Sequence, residues 1–135
     1  MMKEEKVNDV FYVGYEGQPE ILILFENPTQ KNVLKMWNGY FDTLLDLMCQ
    51  YESTDNGILQ EYYAHEGWYE ESPWEIQDLD SAIHLFKSFN VSKVTGEQIE
   101  NVKNIVPTLP EVAHQISTFL ELGKTNGCSV YIEYD

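Results

Sequence analysis

The chain has 135 residues, and its 23 acidic residues against 8 basic residues give a formal net charge of −15. All eight basic residues are lysines, so no arginine is available to grip a phosphate or a carboxylate with two hydrogen bonds. A nucleic-acid backbone and an anionic membrane surface would both repel such a chain, which argues against direct binding to either. The length and a hydrophobic content of 43% favour one folded domain over residues 1–135.

The N-terminal part of the chain predicts a flexible tail followed by a hairpin. Residues 1–8 are charged, and we expect them to fray. Residues 10–15 and 21–25 are rich in β-branched and aromatic side chains, which predicts two strands. The short turn at 17–19 predicts that these strands pair in antiparallel fashion. The second run is apolar at every position, which indicates burial on both faces.

The next segment predicts one long helix over residues 28–52. Asn27-Pro28 is typical of a helix N-terminus, with a capping residue followed by proline. Apolar and aromatic residues then recur at spacings of three and four, as on one face of a helix: Val33, Trp37, Tyr40, Leu44, Leu47 and Tyr51. Asn38-Gly39 marks the place where this helix would kink or begin late.

The second half of the chain predicts further helices and a closing strand. The helices are expected at 58–65, after a cap at Asp78 or Asp80, at 97–106 and at 108–123, and the strand is expected at 129–134. The predicted fold class is therefore α+β. A small antiparallel sheet, made of the N-terminal hairpin and the C-terminal strand, packs with about four helices.

The charge distribution is the clearest functional signal. Residues 36–86, called the acidic stretch below, contain eleven acids and all three tryptophans but no lysine. Aromatic side chains supply binding energy and acids attract cations, so this composition is typical of a surface that binds a basic protein. We predict that the contact residues are Asp55, Glu61, Glu66, Trp68, Tyr69, Glu70, Glu71, Trp74, Glu75 and Asp78. The alternative is a solvated acidic face, with the tryptophans closing a small core.

Patterns that would indicate catalysis are incomplete. His65-Glu66 is half of a zinc-binding helix motif, but no second histidine follows at the required spacing. Glu70, Glu71 and Glu75 would need opposed environments in a cleft to act as an acid/base pair. We therefore predict a protein with no catalytic residues, no metal site and no cofactor.

The sequence predicts neither a signal peptide at its start nor a membrane-spanning segment. The N-terminus lacks the apolar run of a signal peptide, and no segment approaches the ~20 apolar residues of a membrane span. We therefore expect a cytoplasmic protein.

Residues 62–76, with the sequence YYAHEGWYEESPWEI, run into the helix expected after Asp78. With this segment, its small size and its excess of acid, the chain resembles the small acidic immunity proteins of bacterial polymorphic toxin systems, including contact-dependent growth inhibition. The resemblance implies a non-catalytic inhibitor that binds and neutralises a cognate toxin domain, and a basic nuclease domain is the expected partner. Because this class has many unrelated folds, the resemblance implies no particular fold.

Two other functional classes remain open at this point. An acidic nucleic-acid mimic, or an adaptor for a basic host protein, would bind several DNA-binding proteins weakly instead of one tightly. A small enzyme or ligand-binding domain would need a concave pocket in which perturbed carboxylates or histidines converge.

Overall fold

A five-stranded mixed sheet forms the framework of the protein in the computed structural model, which describes residues 4–52, 57–64, 73–94, 96, 99–100 and 102–134. The strands are β1 (Glu4–Phe11), β2 (Glu20–Glu26), β3 (Gln30–Trp37), β4 (Trp74–Glu75) and β5 (Tyr131–Tyr134). The α-helices are α1 (Asn38–Met48), α2 (Gly57–Ala64), α3 (Leu79–Lys87) and α4 (Leu109–Thr125). The predicted α+β class, with N-terminal strands and a C-terminal strand, is confirmed.

The strand order in the sheet is β1-β3-β2-β5-β4. β1 runs parallel to β3, whereas the pairs β2–β3, β2–β5 and β4–β5 are antiparallel. The sheet is therefore mixed, and not purely antiparallel as the sequence predicted. β1 and β4 lie at opposite edges.

The predicted hairpin between residues 10–15 and 21–25 is wrong. β2 instead forms its hairpin with β3, from Glu20 opposite Trp37 to Glu26 opposite Lys31. The first strand begins at Glu4, so residues 4–8 of the expected tail are part of β1. The chain leads from β1 to β2 two positions away in the sheet, and β3 then inserts between them. The residue pattern of β1 carries no signal for that arrangement.

The predicted helix over residues 28–52 is correct only from Asn38 onward, where α1 begins. Residues 30–37 are β3, in which Leu34 and Met36 are buried on the helix side of the sheet. Leu34 lies opposite Ile23 and Met36 lies opposite Ile21. The alternation of buried side chains along a strand therefore decides the structure here, and not the spacing of three and four residues that predicted a helix. The predicted late start at Asn38-Gly39 is the actual start of the helix.

The later elements follow the sequence pattern more closely. α2 occupies most of the predicted segment 58–65, α3 begins after the cap residue Asp78, and β5 is the closing strand. α4 begins near the predicted position but continues past Gly123 to Thr125. Of the helix predicted over 97–106, the described residues form a helical turn at 99–100, turns at 102–105 and the start of a 3-10 helix.

The core lies between the helices and the face of the sheet that carries Ile21, Ile23 and Phe25. α4 crosses this face close to β2 and β5, because Gly123 packs directly against Phe25 and Val130. Phe25 also contacts Phe119, at a ring-centroid distance of 5.0 Å. Between α4 and β1 this crossing leaves a groove.

Candidate partner-binding surface

Helix α2 joins the described parts of the acidic stretch. On one side, the Tyr62 hydroxyl donates a hydrogen bond of 2.6 Å to the Asp42 carboxylate on α1. Tyr62 is buried, and its ring packs edge-on against Phe41. Asp42 is therefore held next to α2 by a buried side chain.

On its other side, α2 contacts the segment that leads into α3. The backbone N–H of Gln77 donates a hydrogen bond of 2.9 Å to the Glu61 carboxylate. Gly57, at a φ of +68°, lies so close to Ser81 that a Cβ atom there would be 2.9 Å from the Ser81 hydroxyl oxygen. α2 is thus fixed between α1 and the start of α3.

Asp78 is the N-cap of α3, as predicted. Its side chain accepts a hydrogen bond of 3.0 Å from the backbone N–H of Ser81, which satisfies one of the free donors at the helix N-terminus. The residue is exposed, so its charge also contributes to the surface. Asp42, Glu61 and Asp78 therefore lie around α2, although 36 positions separate the first from the last in sequence.

Four of the ten predicted contact residues fall in the described part of the chain. Glu61 is half-buried, Glu75 is half-buried in β4 opposite Tyr131, and Asp78 is exposed. The remaining six lie outside the described residues: Asp55, Glu66, Trp68, Tyr69, Glu70 and Glu71.

Trp74 requires a correction, because the structure does not place it on an exposed face. It is 5% exposed and lies opposite Ile132 in the β4–β5 pair, on the helix side of the sheet. Strand β4 has two residues, too few for a period of two to be recognised in the sequence. Trp74 is therefore a core residue of the free protein.

The lysines nearest to the acidic stretch form ion pairs elsewhere. Lys35, which precedes it, pairs with Glu20 at 2.9 Å and lies over the Tyr12 ring. The hydrogen bond to Glu20 raises the pKa of Lys35 above its ordinary value. Lys87, which follows the stretch, pairs with Glu121 on α4.

Another ion pair between the same two helices joins Lys124 on α4 to Asp80 on α3. This pair places a positive charge next to Asp80, which lowers the contribution of Asp80 to the negative surface potential.

Histidines and cysteines are dispersed among the described residues. His84 and His114 are exposed on α3 and α4, while Cys49 and Cys128 are free thiols and half-buried. Within the described ranges, no group of three or more histidine, cysteine or acidic side chains is arranged to hold a metal ion. His65 lies outside these ranges.

One surface was missed by the sequence analysis. A groove with a cavity volume of about 290 Å³ runs between α4 and the part of the sheet formed by β1 and β3. β1 also carries two exposed valines, Val7 and Val10. A single exposed edge strand leaves little signal in a sequence, because the alternation of polar and apolar residues in β1 is weak.

Comparison of the chain with protein-family models, with curated proteins and with solved structures found no match. Among the described helices, none combines the length and the apolar character needed to cross a membrane.

Proposed function

We propose that the protein is a cytoplasmic, non-catalytic immunity protein that binds and neutralises a cognate basic toxin domain, of which a nuclease is the best candidate. The observation that carries this proposal is the concentration of acid around α2 in a chain of net charge −15. An acidic surface lowers the energy of approach of a cationic protein and competes with nucleic acid for its basic site.

The fixed position of α2 supports the proposal in a second way. Tyr62 and Glu61 hold α2 on both sides, so the carboxylates of Asp42 and Glu61 do not have to be ordered when a partner binds. Binding to a preorganised surface avoids the entropy loss of ordering that surface. The expected complex is 1:1 and buries on the order of 1,600 Å².

The proposal is tested by capture from a lysate of the source organism, with this protein as bait and washes at low and at high salt. We expect one basic protein that stays bound at high salt, and we expect equimolar addition of this protein to abolish its toxic activity. A set of DNA-binding proteins that elute at modest salt would favour a nucleic-acid mimic instead. The absence of any stoichiometric partner would contradict the proposal.

Charge variants then test the surface with the captured partner. Asp78→Asn keeps the acceptor for Ser81 while removing the charge, and Glu75→Gln removes a second charge from the stretch. The double variant should slow association and leave the free energy of unfolding unchanged. Glu26→Gln with Glu100→Gln is the matched control, because both residues are exposed and lie outside the stretch. Equal effects of the two double variants would contradict a specific role for the stretch.

A further inference from the structure

Strand β1 is an unusually exposed edge of the sheet. Each of its residues is exposed except Phe11, which is half-buried. Val7 and Val10 are 49% and 59% exposed, and with Val13 and Leu122 they make up the exposed large hydrophobic side chains of the described residues. Apolar side chains are thus exposed along one edge of the sheet and on the helix nearest to it.

The backbone of β1 has hydrogen-bonding groups that point away from the sheet. The N–H of Glu4 donates to the carbonyl of Thr29 at 3.0 Å, so Glu4 faces β3. Because this direction alternates along a strand, Lys6 and Asn8 also face β3, while Glu5 and Val7 direct their N–H and C=O groups outward. No strand in the described ranges pairs with this side of β1.

The groove beside β1 adds room for side chains. It is lined by Lys6, Val7 and Asn8 of β1, by Leu34 of β3 and by Phe119 and Leu122 of α4. The side chains of Lys6, Asn8 and Leu34 lie on the helix side of the sheet, because their positions share the face of the buried Met36. A strand added next to β1 would therefore place every second side chain over this groove.

On the other face of the sheet, the same added strand would meet the acid Glu5. The side chains of Glu5 and Val7 alternate with those of Lys6 and Asn8 and therefore lie on the opposite face of the sheet. Lysine side chains of an added strand would reach the carboxylate of Glu5 there, and their aliphatic stems would cover Val7. An added strand would therefore fit best if apolar side chains, which face the groove, alternate with basic side chains, which face Glu5.

A second copy of this chain fits the edge poorly. Antiparallel pairing centred on Val7 would place Glu5 of each copy opposite Asp9 of the other, where like charges destabilise a sheet. Each copy also carries a net charge of −15. Charge complementarity therefore favours a different, basic chain.

We propose that the β1 edge is a docking site for an extended, basic segment of another protein, which pairs with Glu5 and Val7 as a sixth strand and places apolar side chains in the groove between β1 and α4. This site is separate from the described acids of the acidic stretch, such as Asp42 on α1, Glu61 on α2 and Glu75 in β4, and β4 lies at the opposite edge of the sheet. Four strand spacings, roughly 19 Å in total, lie between the two edges. The inference does not rest on the proposed function.

The test uses a blocked peptide of about seven residues that alternates valine with lysine, because strands of this length are typical. NMR spectroscopy of the full chain follows the backbone amides during titration. We expect shift changes and slowed hydrogen exchange at Glu5 and Val7, together with shift changes at Leu122. A peptide that alternates valine with glutamate should bind at least about tenfold more weakly.

Variants separate strand pairing from charge attraction. Val7→Pro removes the N–H that points away from the sheet and leaves the hydrogen bonds between β1 and β3 in place. It should lower the affinity for the lysine peptide about tenfold or more. Val7→Ala keeps the N–H and is its matched control, with an expected loss of less than about threefold. Leu122→Lys, at an exposed position of α4, should also weaken binding of the lysine peptide. This variant leaves the backbone of β1 unchanged, so its result is informative even if Val7→Pro disrupts the strand.

Several outcomes would overturn the proposal. Shift changes confined to residues 36–86 would show that the peptide binds the acidic stretch alone, which leaves the proposed function intact. Equal binding of the lysine and glutamate peptides would exclude a preference for a basic strand. Equal binding of the lysine peptide by Val7→Pro and Val7→Ala, together with unprotected Glu5 and Val7 amides in the wild type, would exclude strand pairing. A dimer in sedimentation experiments with a protected Val7 amide would assign the edge to a second copy.

Discussion

The indole ring of Trp74 is buried against the helix side of the sheet, although Ser72-Pro73 precedes it and the acid Glu75 follows it. Replacing it with alanine would leave a large cavity, and the loss of a buried tryptophan costs about 3–5 kcal/mol. We predict that Trp74→Ala lowers the free energy of unfolding by this amount, measured by urea denaturation.

Trp74→Phe is the matched control and should cost less, because the phenyl ring fills part of the cavity. A change of less than about 1 kcal/mol for Trp74→Ala would contradict the core position of the ring.

Tyr40 gives the protein a pH dependence under alkaline conditions. Burial, followed by the hydrogen bond of 3.1 Å between its hydroxyl and that of Tyr15, raises the pKa of Tyr40 from 10 to about 12. The folded state therefore holds this proton more tightly than the unfolded state does. The resulting stabilisation is complete below pH 10 and is lost as the pH rises from 10 to about 12.

We predict that the free energy of unfolding falls over this pH range and that the fall is smaller in Tyr40→Phe. Tyr15→Phe should shift the fall to lower pH, because it removes the hydrogen bond while leaving Tyr40 buried. Denaturation curves at a series of pH values provide the measurement. An identical pH dependence for the wild type and Tyr40→Phe would contradict this assignment.

The structural roles of some residues were predictable from local interactions, whereas those of others were not. The role of Asp78 was predictable, because capping uses a side chain and a backbone N–H three residues apart. The burial of Trp74 was not, since it depends on the pairing of β4 with β5, which lies more than fifty positions away in sequence. Its acidic and aromatic neighbours suggested a surface, and no local signal indicated otherwise.

At the level of elements, the β2–β3 hairpin depends on one side chain in its turn. The Asn27 amide oxygen accepts hydrogen bonds from the N–H groups of Thr29 and Gln30, at 3.0 and 2.8 Å, and from the Thr29 hydroxyl. We predict that Asn27→Ala lowers the free energy of unfolding by about 1–2 kcal/mol, since these donors lose their acceptor.

Asn27→Asp keeps an acceptor at the same position and should stay within about 0.5 kcal/mol of the wild type in the same thermal or chemical denaturation experiment. If both variants lose the same stability, the side-chain oxygen is not what holds the turn.

Helix α4 approaches the sheet closely at Gly123. A Cβ atom at this position would lie 2.7 Å from Val130 Cγ2 and 3.1 Å from Phe25 Cδ1. Alanine favours a helix by about 1 kcal/mol relative to glycine, but crowding of a packed core costs about 1–3 kcal/mol. We predict that Gly123→Ala destabilises the protein, as measured by urea denaturation.

The double variant Gly123→Ala with Val130→Ala tests the cause. Val130→Ala should cost less in the Gly123→Ala background than in the wild type, because it makes room for the added methyl group. Additive effects would show that the two residues do not collide.

Asn27 and Gly123 also show why the predicted elements failed where they did. Asn27-Pro28 was assigned to a helix start, yet the same acceptor closes a hairpin turn, because an asparagine side chain satisfies nearby N–H groups in both settings. Gly123 was assigned to a helix end, but it is the point of contact between α4 and the sheet. The local chemistry predicted for Asn27 is present in a different element, whereas the helix end predicted at Gly123 is wrong, because α4 continues to Thr125.

On the scale of the whole molecule, the two edges of the sheet differ in character. The acidic stretch leads into the β4 edge, whereas the β1 edge carries free backbone groups and exposed valines. The charge imbalance of the acidic stretch was predictable from the sequence, because it is a property of composition. The β1 edge was not predictable, because it depends on the insertion of β3 between β1 and β2, which no local pattern encodes.

The central claim is that the acidic stretch attracts a basic partner. It is tested most directly by the association rate constant with the captured partner, measured over a range of salt concentrations for the wild type and for Glu70→Lys with Glu71→Lys. We predict that the wild-type rate falls about tenfold or more between low and high salt, that the variant associates more slowly at low salt, and that dissociation changes little. An association rate that is independent of salt and equal in the two proteins would contradict the claim.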